Sequence, residues 1–317
     1  MSQPDISVII VNWNTSELLL KCLASLPWQS RELKLEVIVV DNASTDNSAG
    51  LVEMTFPRCT VIRNALNLGF AAGNNIGMRV AEGRYCALIN SDVEVLPGCL
   101  EKLVAYADAH ENIGILAPGI RWPDGRRQDT CRRFPNLWNN FCQASGLRKL
   151  FPGHAFFSGE HMFYFGHDRT MPVDYLNGCF LLVRQAMIYE VGMMDERFFM
   201  YAEEVDWCRR ARDAGWEVVY YPGAEAIHLG RASSSREPSR FAVEQQRALL
   251  QYWQKHHSAL EVAAYRLISG GQWLMRFMRY AVRYGLQRNH RTVLGPCLRT
   301  SWQAMRTAAA PIPRAGT

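Results

Sequence analysis

Apolar and polar positions change period along the chain in a regular order. Ile6-Ser-Val-Ile-Ile-Val11 is a short β-branched run bounded by polar residues, which reads as a buried parallel strand. It ends at Asn12-Trp-Asn-Thr15, and apolar side chains then recur at helical spacing over residues 16–26, with Thr15 or Ser16 as N-cap. The same grammar repeats from Leu35 to Val40, which runs into Asp41-Asn-Ala-Ser-Thr-Asp46 and a helix over Asn47 to Met54. A third strand, Thr60-Val-Ile-Arg63, leads through Asn64-Ala-Leu-Asn-Leu-Gly69 into a glycine-rich helix over 70–81. Next comes Ala87-Leu-Ile-Asn-Ser-Asp-Val-Glu-Val95, an apolar run interrupted by Asn90, Ser91 and Asp92. Strands alternating with helices predict an α/β fold, with a parallel sheet, right-handed crossovers and a ligand site along the strand ends.

After Leu96-Pro-Gly98 the pattern predicts a helix to about Ala109 and a strand over 113–117. From Pro118 to Pro172 periodicity gives way to Gly, Pro, Arg and aromatic residues, and a loop-rich segment of that length reads as functional. Regular structure returns with a strand over 173–183, a helix over 185–191, the acidic run Met194 to Cys208 continuing as helix to about Ala214, and a strand over 217–221. The Ser/Arg/Pro-rich stretch Gly230 to Pro238 marks a boundary. Residues 1–230 are expected to form one catalytic domain and 231–317 a helical extension.

Charge changes this picture mainly in the extension. From Val262 to Thr317 there are nine arginines and no Asp, Glu or Lys, whereas residues 1–261 carry 26 basic and 30 acidic side chains. A basic tail implies an anionic partner, a membrane surface or nucleic acid. Gln272, Arg276, Arg279 and Arg283 share one face of a helical projection, with Leu274, Phe277, Met278 and Ala281 opposite. That pattern suits a helix lying in a membrane interface, and equally one packing its apolar side on the protein. The membrane is the expected partner, nucleic acid is not. The nine cysteines are odd in number, dispersed and without Cys-x-x-Cys, which argues against a disulfide framework or zinc site and fits a reducing compartment. Neither a signal peptide nor a transmembrane helix is expected, so the predicted location is cytoplasmic, at the inner face of the cell membrane.

Several residues could carry chemistry. Asp92 ends a strand and could meet a phosphate through a divalent cation, or cap a turn. Asp41 could accept from a base N–H or a ribose hydroxyl beside Asn12, or cap its own turn; Asp46 reads as a helix cap. Glu203, Glu204 and Asp206 crowd the start of a helix, where an acid could act as general base or simply favour the helix dipole. His228 could be a metal ligand or a structural histidine. Neither Gly-x-Gly-x-x-Gly after the first strand nor a Walker A sequence occurs.

Taken in order, Val39-Val-Asp-Asn-Ala-Ser-Thr-Asp46, Asn67-Leu-Gly-Phe-Ala-Ala-Gly-Asn-Asn-Ile-Gly77, Leu88-Ile-Asn-Ser-Asp92, Asp124-Gly125 with Arg132-Arg-Phe-Pro135, and Asp195 to Trp207 resemble a family-2 glycosyltransferase of the GT-A fold, most of all its rhamnosyltransferase branch. The resemblance spans about Ile6 to His228. It implies a mixed, mostly parallel sheet flanked by helices, with a nucleotide-binding half and an acceptor half that includes residues 118–172. It also implies inverting transfer from a nucleoside-diphosphate sugar, with dTDP-rhamnose the first choice, to a glycan or lipid-linked saccharide in cell-surface polysaccharide synthesis. Asp41 would then hold the pyrimidine, with Asn12, Asn67 and Asn90 beside the donor and Gly69 and Gly73 allowing close backbone approach. Asp92 would hold Mg²⁺ or Mn²⁺ against the diphosphate, with His228 completing the shell. An acid of the Glu203-Glu204 pair, Glu204 by position, would deprotonate the acceptor, and Asp206 is its rival. Two positions depart from the family pattern: Asn90 replaces the first acid of Asp-x-Asp, and Glu204 replaces an aspartate. Those departures keep open a sugar-nucleotide-binding protein without transferase activity, and a nucleotidyltransferase or epimerase-like enzyme is a further alternative.

Overall fold

The computed structural model describes residues 3–230, 237–286 and 291–309. The expected connector around Gly230 to Pro238 falls mostly outside them. In chain order the elements are β1 (Ile6–Asn12), α1 (Ser16–Ala24), β2 (Leu35–Asp41), α2 (Ser48–Thr55), β3 (Thr60–Arg63), α3 (Phe70–Val80), β4 (Tyr85–Ile89), β5 (Val93–Val95), α4 (Cys99–Asp108), β6 (Ile113–Arg121), β7 (Cys131–Arg132) and α5 (Leu137–Ser145). They continue as α6 (Leu147–Leu150), α7 (Ala155–Ser158), β8 (Met171–Pro172), β9 (Tyr175–Leu176), β10 (Phe180–Arg184), α8 (Gln185–Val191), α9 (Glu203–Asp213), β11 (Glu217–His228), α10 (Pro238–His256), α11 (Ala259–Leu286) and α12 (Arg291–Ala309).

Two compact units emerge. One comprises Met1–Phe134, His161–Phe199 and Glu203–Ser233, the other Pro135–Glu160, Met200–Ala202 and Ser234–Thr317. A single cut near residue 230 therefore does not describe the packing, because α5 packs against α11 and takes residues 135–160 with it. The stretch 118–172 holds more regular structure than its sequence suggests, including the end of β6, α5 and two single-turn helices.

The first unit is built on a sheet ordered β3-β2-β1-β4-β10-β6-β11-β5, with β8 added on β11. β3, β2, β1 and β4 run parallel, as do β6 and β11, while β10 runs antiparallel between β4 and β6. The sheet is thus mixed and mostly parallel, flanked by helices. β1 lies inside it, with Ile6, Val8, Ile9 and Ile10 all fully buried, which is why its sequence is apolar without alternation. The expected strand over 173–183 divides into β9 and β10 at Asn177-Gly178-Cys179, and β9 pairs with β7. β11 extends beyond its expected end at Tyr221, because a register irregularity between Tyr221 and Glu225 absorbs Pro222 and Gly223. Past that irregularity β11 pairs with β5, bringing His228 opposite Val93.

The second unit is helical. On α11, Tyr265 and Ser269 are buried, while Leu267 (78% exposed), Leu274, Met275, Met278, Val282 and Leu286 form an outward apolar stripe. Arg279 and Arg283 are exposed beside it. Phe277, expected on that apolar face, instead turns toward Trp302, with ring centroids 6.1 Å apart. Among the described residues no helix is long and apolar enough to cross a membrane.

Candidate active site

The ends of β1 and β2 form a closed polar knot. Asn12 is fully buried; its amide donates to Asp41 Oδ1 at 3.1 Å and Ser44 Oγ at 3.0 Å, and its Oδ1 accepts from Thr15 Oγ1 at 2.7 Å. The side chain of Asn12, expected beside the nucleotide, is engaged by Asp41, Ser44 and Thr15. Asp41 accepts the Ser44 amide at 3.1 Å, so it caps its own turn as one of its two readings anticipated. Thr15 does not cap α1 with its side chain, because its hydroxyl is taken by Asn12 and by Ser91 Oγ at 2.7 Å. The α1 amide of Ser16 is satisfied instead by Asp46, at 2.9 Å. Burial works against charge on Asp46, yet hydrogen bonds from Ser48 and Ser16 outweigh it and hold the carboxyl below its usual range.

The glycines of the β3–α3 stretch serve the protein itself. Gly69 lies at φ 88°, and a Cβ there would stand 2.2 Å from the Phe199 carbonyl oxygen, which accepts the Phe70 amide at 2.7 Å. Gly73 makes room for the Val11 side chain. At both positions neighbouring protein atoms leave no room for a Cβ. Asn67 accepts the Gly69 amide at 3.0 Å and shapes the same turn.

Asn90, Asp92, Cys179 and His228 converge at the ends of β4, β10 and β11. The Asn90 amide donates to Cys179 O at 3.0 Å, and the Leu229 amide to Asp92 O at 3.1 Å. His228 Nε2 lies 3.3 Å from Asp92 Oδ1, while its Nδ1 lies 3.0 Å from Gln128 Oε1. Desolvation lowers the pKa of this imidazole, but hydrogen bonds to Asp92 and Cys179 outweigh it and raise the value to about 10. At this separation the acid and the imidazole form an ion pair, and both atoms could turn to a divalent cation placed between them. The hard Asp92 oxygen suits Mg²⁺ or Mn²⁺, whereas the imidazole nitrogen favours Mn²⁺ over Mg²⁺. Among the described residues no group of three or more His, Cys, Asp or Glu side chains is arranged to hold a metal. Asp92 and His228 are the pair at these strand ends that could share a divalent cation with a diphosphate and water.

The acidic run separates into distinct roles. Asp206 is fully buried and salt-bridged to Arg210 at 2.9 Å, and that guanidinium also donates to Val191 O and Met193 O. Asp206, expected as the rival base, is thereby engaged by Arg210 and ties α9 to the residues that follow α8. Glu203 is buried, and Glu204 is the acid of the three that retains partial exposure. Glu204 faces Gly178, where an added Cβ would lie 3.6 Å from the Glu204 Cβ. The Asn177-Gly178-Cys179 turn therefore touches Glu204 on one side and the Asn90–His228 cluster on the other. Tyr201 and Ala202, at φ 72° and 62°, hold the left-handed conformation just before α9. Such strain in consecutive non-glycine residues is typical of functional segments.

Gln128 and the 177–179 turn escaped the sequence reading. Gln128 lies where periodicity is absent and the 177–179 turn lies within an expected strand; for Gln128 the role is visible only through His228, 100 positions away.

Residues 7–167 match the family described as glycosyl transferase family 2. Over 298 residues, 90% of this chain and 96% of the other, the sequence is 28% identical to the N-acetylglucosaminyl-diphospho-decaprenol L-rhamnosyltransferase of Mycobacterium tuberculosis. It is 24% identical over 243 residues, 75% of this chain and 72% of the other, to the low-salt glycan biosynthesis hexosyltransferase Agl10 of Haloferax volcanii. Among solved structures, the mannosyltransferase PcManGT of Pyrobaculum calidifontis, in complex with GDP-Man and Mn²⁺, superposes with a TM-score of 0.58 at 15% identity, covering 98% of this chain and 87% of that one. TarS 1-349 of S. aureus gives a TM-score of 0.52 at 16% identity, covering 96% and 90%. At those identities the structural likeness concerns the fold alone.

Proposed function

The chain belongs to glycosyl transferase family 2, and from that premise we propose that it moves rhamnose from dTDP-rhamnose to a hydroxyl of a lipid-linked saccharide during cell-surface polysaccharide synthesis. The observation that carries this reading is the shared turn at 177–179, which brings a two-ligand acid–imidazole pair and a partly exposed glutamate to the same strand ends.

In this reading Glu204 accepts the proton of the acceptor hydroxyl, whose oxygen attacks the anomeric carbon from the face opposite the diphosphate, so the sugar is transferred with inversion. Asp41, held by Asn12 and Ser44, meets the base of the donor, and Asn67 and Asn90 line the approach to it. Asp92 and His228 would hold Mg²⁺ or Mn²⁺, which supplies charge neutralisation for the leaving diphosphate. The sugar and acceptor classes follow the Mycobacterium tuberculosis relative, whose name specifies rhamnosyl transfer to a diphosphate-linked lipid. The exposed apolar stripe of α11 with Arg279 and Arg283 supports peripheral attachment to an anionic membrane at the cytoplasmic face, where such an acceptor would lie.

The test is to screen nucleotide sugars with Mn²⁺ for a rise in melting temperature, then to follow nucleoside diphosphate release with and without a polyprenyl-diphosphate-linked sugar. Stabilisation by dTDP-rhamnose and acceptor-dependent release of dTDP are expected. Release of pyrophosphate, or product without acceptor, would point to another sugar-nucleotide enzyme. Binding without any turnover would leave a sugar-nucleotide-binding protein.

A further inference from the structure

We propose that Gln128 is the positioning residue that turns His228 into a metal ligand, by fixing which ring nitrogen carries the proton. The inference rests on the reading of Asp92 and His228 as a divalent cation site.

Gln128 is buried and makes two side-chain hydrogen bonds to one residue. Its Nε2 donates to the His228 backbone carbonyl at 2.6 Å, and its Oε1 meets His228 Nδ1 at 3.0 Å. A carbonyl oxygen only accepts, so the NH₂ end of the carboxamide must face it. That choice settles the amide orientation and leaves Oε1, an acceptor, against the imidazole. Nδ1 must therefore carry hydrogen. In the neutral ring the lone pair then belongs to Nε2, the atom 3.3 Å from Asp92 Oδ1. Without a cation Nε2 carries hydrogen toward Asp92 Oδ1, and because Gln128 keeps the other hydrogen on Nδ1, it is the Nε2 hydrogen that a cation would displace.

The clamp is itself held by main chain. The Gln128 amide donates to Ile120 O at 2.8 Å on β6, and β6 runs parallel to β11 up to the pair of Arg121 with Ile227. Gln128 and His228 thus hang from neighbouring strands of one sheet. Outer hydrogen-bond partners of this kind typically contribute 10–100-fold to metal affinity.

The experiment measures Mn²⁺ affinity of the full chain with equimolar dTDP by electron paramagnetic resonance of free Mn²⁺, at one pH, for the parent and for Gln128→Leu, Gln128→Glu, Asp92→Asn and His228→Ala. Melting in EDTA controls for the fold. Gln128→Leu is expected to weaken Mn²⁺ binding by about 10–100-fold. Gln128→Glu, whose carboxylate still accepts from Nδ1–H but no longer donates to the His228 carbonyl, is expected to keep higher affinity than Gln128→Leu. Parental affinity in folded Gln128→Leu overturns the proposal while leaving the metal reading intact. Equal losses in Gln128→Leu and Gln128→Glu also overturn it, since they would mark a packing role. If the parent binds no better than Asp92→Asn and His228→Ala, the metal reading fails and the proposal falls with it.

Discussion

Glu204 and Asp206 stand two positions apart on α9, yet one retains a path to solvent and the other has none. Charge alone does not make a base; access does. Glu204→Ala is expected to lower turnover by about 10²–10⁴-fold with donor affinity nearly unchanged, measured as steady-state kinetics beside donor binding. Unchanged turnover would eliminate Glu204. Asp206→Ala should instead destabilise the fold, since it removes the charged partner of a partly buried guanidinium, by about 1–3 kcal/mol in denaturant unfolding. Asn12→Ala is expected to cost about 1–3 kcal/mol and to weaken nucleotide binding, because it leaves Asp41 and Thr15 without a shared partner. At this scale the sequence offered residue types but not assignments. Three acids in four positions look equivalent until the Arg210 salt bridge claims one of them.

Elements were legible wherever burial imposes a period. β1, β2 and α3 follow directly from their apolar runs. β11 was half visible, because Pro222 and Gly223 read as an ending where the strand in fact shifts register and continues to His228. The segment joining α8 to α9 shows why local patterns fall short. It is held to α3 by Asn75, which donates to Met194 O at 2.8 Å and Glu196 Oε1 at 3.0 Å, and by Arg79, which pairs with Glu196 at 2.5 Å. These hydrogen bonds, Asn75 first and then Arg79, keep the Glu196 carboxyl below its ordinary range. A depressed carboxylate pKa gives stability that is present above the unfolded value near 4.5 and lost as pH falls through the folded one. Glu196→Gln should therefore flatten the acid side of the unfolding curve, as followed by circular dichroism from neutral pH downward. An unaltered acid profile would exclude this contact. Gly69→Ala, in a backbone region open essentially to glycine, should cost at least about 1–3 kcal/mol and detach Phe199 from α3.

For the whole molecule, fold class and family were legible because strand–loop–helix repeats and five ordered motifs survive in linear sequence. The partition into units was not, since the aperiodic residues 135–160 pack with helices that begin more than seventy positions later. That partition sharpens the charge division. The helical unit carries 15 basic and 4 acidic side chains, against 20 and 26 in the sheet-based unit. Flotation with anionic vesicles should recover the protein at low salt and lose it progressively as salt rises, and Arg279→Glu with Arg283→Glu should weaken recovery at every salt concentration. Retention in the soluble fraction throughout would refute membrane attachment. Opposite net charges on two units of one chain also bear on kinetics. Near a negatively charged surface the helical unit is attracted and the sheet-based unit repelled. Productive encounters would then be pre-selected during diffusion, before any apolar side chain touches lipid, and the rate of landing rather than the residence time would carry the salt dependence.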